Sequence, residues 1–202
     1  MSESPNNEEL RIGVYICHCG SNIAGVIPPD EVAEWASRLP GVVHSTDTLY
    51  ACADSGQSLI KEDIEKYNLN RVVVSACSVR MHETTFRGAV SEAGLNPFLM
   101  EMANIREQCT WAHGHDHEGA LKKAKDLTAA AIAKARFLAP LEFIKVPVTK
   151  RAMVFGGGVA GISAALDLAD QGIDTILVEK EPTIGGVMAQ LNKTFPTMDC
   201  SI

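Results

Sequence analysis

The sequence predicts an α/β chain built on parallel sheets, and three observations carry that expectation. Short apolar runs rich in branched residues alternate with helical periodicities along residues 11–138, a pattern in which each strand returns parallel only after a crossover. Further on, a glycine-rich turn stands between a strand-like run and an apolar-periodic helix at residues 156–161. Finally, 46% of the 202 residues are hydrophobic and 21% charged, the balance of a soluble globular protein with a sizeable core. That composition excludes disorder, collagen and coiled coil as descriptions of the whole chain.

Taken in order, residues 1–10 are polar and acidic, without the positive start or apolar core of a secretory signal, and are expected to be a disordered cytoplasmic tail. Arg11 to Cys17 (RIGVYIC) reads as a buried strand that breaks at His18-Cys19-Gly20. After the start signal Pro28-Pro29-Asp30, Val32, Ala33, Trp35, Ala36 and Leu39 recur at helical spacing. Val42 to Tyr50 is predicted as a strand, Gln57 to Tyr67 as a helix and Arg71 to Ala76 as a third strand. A helix over Glu83 to Ala93, stopped by Gly94, and a fourth strand over Pro97 to Met102 follow. Glu118 to Leu138 is a long amphipathic helix that should close the sheet. Residues 11–138 are thus expected to form one flavodoxin-like domain. Pro140 and Pro147 mark an extended linker over residues 139–150. Arg151 to Phe155, a helix to about Gln171 and Thr175 to Val178 then give the opening β-α-β of a Rossmann-type FAD-binding domain over residues 151–202.

Charge and hydropathy exclude two classes of partner. The formal net charge is -7 and no basic stripe could follow a phosphate backbone, so nucleic acid is not expected. The longest apolar stretch, Ala129 to Ala139, is interrupted by Lys134 and Arg136 and is too short for roughly 30 Å of hydrocarbon, so no membrane span is predicted.

Gly156-Gly157-Gly158-Val159-Ala160-Gly161 fits G-x-G-x-x-G in the context that gives the motif meaning. Gly156 allows the tight turn, Gly158 lets the backbone approach a pyrophosphate, and Gly161 lets helix and strand pack closely; the helix N-terminus offers free N–H groups to the phosphates. Glu179 ends the second strand, where an acid accepts from ribose hydroxyls and would repel a 2'-phosphate, which disfavours NADP. A turn serving helix packing alone is the plainer alternative. The loop itself does not separate FAD from NAD. The following Lys180-Glu181-Pro182-Thr183-Ile184-Gly185-Gly186 resembles the extension found in flavoproteins of the disulfide reductase superfamily. That resemblance implies FAD, with Gly185 and Gly186 near the flavin-side phosphate.

Six cysteines stand at positions 17, 19, 52, 77, 109 and 200, more than a chain in a reducing compartment needs for packing. Cys17 and Cys19 end the first strand, Cys52 follows the second, Cys77 closes the third and Cys109 lies in the loop after the fourth, so all five should gather on the rim where a parallel sheet builds its crevice. Converging soft thiolates suit iron–sulfur or zinc, and helix N-termini after Cys52 and Cys77 would favour the ionised sulfur. Cys19, Cys52, Cys77 and Cys109 are the favoured ligands, with Cys17 and Cys19 able to exchange roles. His113, His115 and His117 alternate in a polar connector that needs no metal, and His18, His44 and His82 read as local hydrogen-bonding residues. No G-x-S-x-G, Walker or H-E-x-x-H motif supports a hydrolase or kinase.

Five segments together carry a specific resemblance: CHCGSNIAG, RVVVSACSVRMHETTFR, EMANIREQCTWAH, FGGGVAGISAALDLADQG and EKEPTIGGVMAQLNKTFPTMDCSI. Through them the chain resembles the N-terminal part of the heterodisulfide reductase A-subunit family, iron–sulfur flavoproteins of methanogens and other anaerobes. Val79 and Thr84 stand where the family pattern has proline, which bears on loop stiffness alone. The resemblance implies FAD and a 4Fe-4S cluster, a cytoplasmic location, and electron transfer by flavin-based bifurcation. Implied partners are the other heterodisulfide reductase subunits, an electron-donor hydrogenase or dehydrogenase, and ferredoxin. It also implies a longer protein, in which Cys200 opens a second cluster motif, so that the FAD domain is expected to be truncated and the isolated segment inactive. No residue here reads as an acid, base or nucleophile acting on substrate. Two other readings stand beside it: a self-contained pyridine-nucleotide disulfide oxidoreductase, whose C-x-x-C or C-x4-C redox pair is not found in these residues, and a non-enzymatic zinc module.

Overall fold

The computed structural model describes residues 9–200. The tail expected over residues 1–10 lies outside the described residues except at its last two positions. Two compact units divide the chain, Met1–Glu142 and Phe143–Ile202.

In the first unit the strands are β1 (Ile12–Cys17), β2 (Val42–Thr48), β3 (Arg71–Ala76) and β4 (Met100–Asn104). They form one parallel sheet in the order β2-β1-β3-β4, the doubly wound order that the sequence predicts. β1 and β3 are buried at every position, because helices cover both faces and water meets neither. Alternation along the strands sorts their side chains into two cores. Ile12, Val14, Ile16, Val73 and Ala103 pack in one, with residues of α2 (Pro29–Ala36) and α5 (His117–Ala135). Tyr15, Cys17, Val72, Val74, Ala76, Met100 and Met102 pack in the other, with residues of α3 (Asp54–Lys66) and α4 (Val79–Glu92).

α5 lies close to the sheet because its inward positions are small: Ala120, Ala124, Ala131 and Ala135 are buried. The buried Arg71 fastens the end of this helix by donating to the carbonyls of Ala135 (3.1 Å) and Leu138 (2.9 Å), acceptors that a helix C-terminus leaves unpaired.

Several boundaries differ from expectation for local reasons. α4 starts at Val79 rather than Glu83, because the Ser78 hydroxyl accepts from the Arg80 N–H and caps the turn. α3 starts at Asp54, whose charge suits the N-terminal dipole. Pro97–Leu99 is a 3-10 turn begun by Asn96, whose side chain accepts from Phe98 N at 3.0 Å, so β4 begins only at Met100. The loop expected around Cys109 is a π-helical turn, Arg106–Thr110. α5 ends at Ala135, three residues early, and residues 138–150 carry neither helix nor strand.

The second unit opens with β5 (Arg151–Phe155), α6 (Val159–Asp170) and β6 (Asp174–Val178), the two strands parallel and in register. Val154 faces α6, while Met153, Phe155, Ile176 and Val178 occupy the exposed positions of both strands. A short antiparallel pair, β7 (Lys193–Thr194) and β8 (Asp199–Cys200), was not foreseen from the sequence. Among the described residues no helix is long and apolar enough to cross a membrane.

Candidate cofactor sites

The C-terminal ends of β1, β2 and β3 bring four cysteines to one rim. Cys17 is the last residue of β1 and is buried, with the Ala51 N–H directed at its sulfur at 3.4 Å. Cys19 takes a left-handed backbone (φ 49°), followed by Gly20 at φ 57°, and these two residues turn the chain into α1 (Ser21–Ala24). Cys52 is half-buried two residues before α3, and its carbonyl accepts from Gln57 Nε2 at 2.8 Å. Cys77 is buried directly after β3.

These thiols feel one another. Burial pushes Cys17 up, hydrogen bonds from the backbone of Ala51 and Cys19 oppose the rise, and Cys19 and Cys52 add to it. Burial pushes Cys77 up to about 11; Arg106 acts against the rise, while Glu107, Cys19 and Cys17 add to it. At Cys77 this corrects the sequence expectation of a thiolate favoured by the following helix, because desolvation outweighs the helix dipole. A group of soft donors that resist ionising together fits a cationic centre, whose charge would remove the mutual repulsion and deprotonate them outright.

Cys109 lies elsewhere. It is fully buried in the core shared with α5, its Sγ donates to the Ala120 carbonyl at 3.1 Å, and burial raises its pKa with Lys123 opposing. The π-helical turn folds it under α5, on the opposite face of the sheet from Cys17. The structure therefore brings Cys17, Cys19, Cys52 and Cys77 together and leaves out Cys109, a member of the favoured quartet. Cys200 lies exposed in β8 of the second unit.

The histidines are engaged separately. His113 faces Lys123 at 2.9 Å and His117 the Val26 carbonyl at 2.6 Å; His18 pairs with Asp47 at 2.6 Å, and His44 with Asp63 at 3.0 Å. Among the described residues no three Cys, His, Asp or Glu side chains are placed to share one metal ion.

Sequence reasoning passed over Arg106. Its Nη1 donates to Cys19 Sγ at 2.9 Å, and its Nη2 points at Met81 Sδ at 3.0 Å. Only its position just after β4 could have flagged it.

The raised thiols give a pH prediction for the metal-free protein. Cys17, Cys77 and Cys109 hold their protons more tightly folded than unfolded, as does Tyr15, whose phenol is raised by burial and by the charge of Asp63. The stability they contribute is complete below the ordinary thiol value of 9.0 and is lost as pH rises through that of Cys77, about 11. Urea midpoints should stay level below that window and fall across it, less steeply in Cys77→Ala.

In the second unit the glycine loop assembles as a cradle. Gly156 has φ 100° and donates to the Val178 carbonyl at 2.8 Å, a backbone that other residues adopt only with strain. A Cβ on Gly161 would lie 1.8 Å from the Gly156 oxygen, so this glycine serves close packing of helix on turn. A Cβ on Gly158 would meet nothing within 4 Å. Packing among the described residues does not require glycine there, whereas a pyrophosphate at the N-terminus of α6 would. Glu179 braces the loop: its carboxylate accepts from the N–H groups of Gly157 (2.5 Å), Lys180 (2.7 Å) and Glu181 (3.0 Å), which lower its pKa, Glu181 most. Gly185 N–H donates to the Gly157 carbonyl at 2.6 Å, so the Gly185-Gly186 turn sits against the loop. A cavity of about 330 Å³ opens beside it, lined by Val159, Ile162, Ser163, Ile184, Met188 and Ala189 among others.

A β-α-β cradle of this kind defines a dinucleotide-binding oxidoreductase segment, and residues 152–198 match the family described as FAD dependent oxidoreductase. The whole chain is similar to longer proteins, all of them A-type subunits of heterodisulfide reductases. It is 66% identical to the second iron–sulfur protein of this type in the CoB–CoM heterodisulfide reductase of Methanopyrus kandleri, and 60% identical to that of the H(2):CoB-CoM heterodisulfide,ferredoxin reductase of Methanothermobacter thermautotrophicus. It is 53% identical to that of the ferredoxin/F(420)H(2)-dependent CoB-CoM heterodisulfide reductase of Methanosarcina acetivorans. Each match covers 96% of this chain, and the chain spans 30%, 30% and 24% of these relatives respectively. The chain belongs to the heterodisulfide reductase A-subunit family.

Proposed function

We propose that this chain is the part of a heterodisulfide reductase iron–sulfur flavoprotein that holds one 4Fe-4S cluster in its first unit and contributes to FAD binding in its second. The observation that carries this reading is the gathering of Cys17, Cys19, Cys52 and Cys77 at the strand ends of one parallel sheet. Four thiolates that each take a different iron suit that spacing better than four converging on a single zinc.

Bound FAD would accept an electron pair and release it as single electrons, the chemistry that lets one donor serve two acceptors. The residues here bind and orient. The N–H groups at the start of α6 face the pyrophosphate, Gly158 leaves room for it, Glu179 holds the loop and offers its remaining lone pairs to the ribose, and the Gly185-Gly186 turn closes the phosphate side. Electrons would enter from a hydrogenase or dehydrogenase and leave toward ferredoxin and toward the partner protein that reduces the heterodisulfide. The names of the relatives, which speak of ferredoxin, F(420)H(2) and the CoB–CoM heterodisulfide, support this set of partners. Six free cysteines suit the reducing cytoplasm of an anaerobe.

The test is anaerobic purification followed by iron, sulfide and flavin analysis of the chain and of Gly158→Val. The parent should be brown, with about four irons per cluster. Gly158→Val should keep its melting temperature and lose its flavin, since the added side chain meets only the ligand. Full flavin occupancy in Gly158→Val would refute the loop assignment, and a colourless zinc protein would refute the cluster.

A further inference from the structure

We propose that Arg106, paired with Glu107, is a positioning residue that sets the reduction potential of the cluster held at the cysteine rim, by directing a guanidinium N–H at Cys19. The inference rests on the cluster reading above and goes beyond it by assigning a tuning device to residues that are not ligands.

The local backbone is built to aim this side chain. Asn104, the last residue of β4, accepts with its side-chain oxygen from the N–H groups of Arg106 (3.2 Å) and Glu107 (3.0 Å). The turn that follows is widened to π geometry, with Thr110 N–H donating to the Ile105 carbonyl and Trp111 N–H to that of Arg106. Such turns recur at functional sites. The widening lets the Trp111 ring lie 4.8 Å from the Arg106 guanidinium. Glu107 Oε1 accepts from Nη2 at 2.8 Å and from Nε at 3.3 Å, which leaves Nη1 for Cys19 at 2.9 Å. The guanidinium is only 11% exposed, so its orientation is fixed and its field is little screened.

An ion pair between adjacent residues would form on any surface and needs no third partner. Here the guanidinium is buried among sulfurs, facing Cys19 and Met81, and its charge also acts on Cys77. One-electron reduction of a cluster adds negative charge to its sulfurs, so a cation and an N–H donor beside a ligand sulfur favour the reduced state and raise the potential. Glu107 acts on the same sulfurs with the opposite sign. The pair therefore predicts two shifts in opposite directions, which a merely structural role would not produce.

The experiment is an EPR-monitored redox titration of the anaerobically purified chain and its Arg106→Gln and Glu107→Gln variants, with iron content measured on each. The midpoint should move to more negative values in Arg106→Gln and to more positive values in Glu107→Gln, and Arg106→Lys should fall between Arg106→Gln and the parent. An unchanged midpoint in Arg106→Gln with full iron would overturn the proposal. If Arg106→Gln takes up no iron, Glu107→Gln decides alone: a midpoint equal to the parent's, or more negative, overturns it. Failure of the unmodified chain to hold any cluster would instead overturn the functional reading on which this inference stands.

Discussion

Replacing Gly56 by alanine should lower the stability of the first unit by about 3 kcal/mol, roughly 10 °C in melting temperature, and take most of the cluster iron with it. Helix propensity alone argues the reverse, because alanine in place of glycine within a helix is worth about 1 kcal/mol. The surroundings of Gly56 override that gain. A Cβ there would lie 2.4 Å from the Tyr50 carbonyl oxygen and 2.6 Å from both Cα and O of Ala51. All three are backbone atoms of the segment that leads to Cys52, and that segment is pinned to α3 by the bonds from Ala53 N–H to the Tyr50 carbonyl and from Gln57 Nε2 to the Cys52 carbonyl. The clash can be relieved only by moving the helix start or the cysteine. A thermal melt and an iron assay read the two consequences together, and a variant that matches the parent in both would contradict this packing.

Gly161→Ala should have a comparable effect in the second unit, about 3 kcal/mol or more, and abolish flavin binding. Its Cβ would meet the Gly156 oxygen at 1.8 Å, where both partners are backbone and one belongs to the turn that presents the phosphate site. α6 would have to lift away from β5, which removes the N–H groups from the cradle. Set beside Gly158→Val, this substitution separates the two roles of glycine in one loop. Limited proteolysis should cut Gly161→Ala within residues 151–178 and leave Gly158→Val as resistant as the parent. Equal flavin content in Gly161→Ala and parent would show that the loop is not the site.

What could be read from the sequence was whatever depends on pattern within one element. β1 and β3 are legible as continuous apolar runs because both their faces are covered, and the glycine loop because its spacing, its preceding strand and its following helix all agree. The rim itself was legible, since in a parallel sheet residues that end successive strands share one edge. Membership of the group at that rim was not. Cys17 and Cys109 differ in which face of the sheet they meet, a matter of strand alternation for the one and of a π-helical turn for the other, and nothing in Arg106-Glu107-Gln108-Cys109-Thr110 announces that turn. Arg106 was missed for the same reason. The early start of α4 was hidden because Val79-Arg80-Met81-His82 has no apolar period, although Ser78 is a good cap. Glu179 stood at the expected place, but its role as a brace depends on three backbone N–H groups that only the folded turn brings to it.

The measurement that bears most directly on this account is the iron content of Cys17→Ala beside that of Cys109→Ser, each purified anaerobically and compared with the parent. Serine at position 109 can still donate to the Ala120 carbonyl, so that core should survive the exchange. A cluster held by Cys17, Cys19, Cys52 and Cys77 predicts that Cys109→Ser keeps the parent's iron and its EPR signal while Cys17→Ala loses them. Loss of the cluster in Cys109→Ser with retention in Cys17→Ala would contradict it.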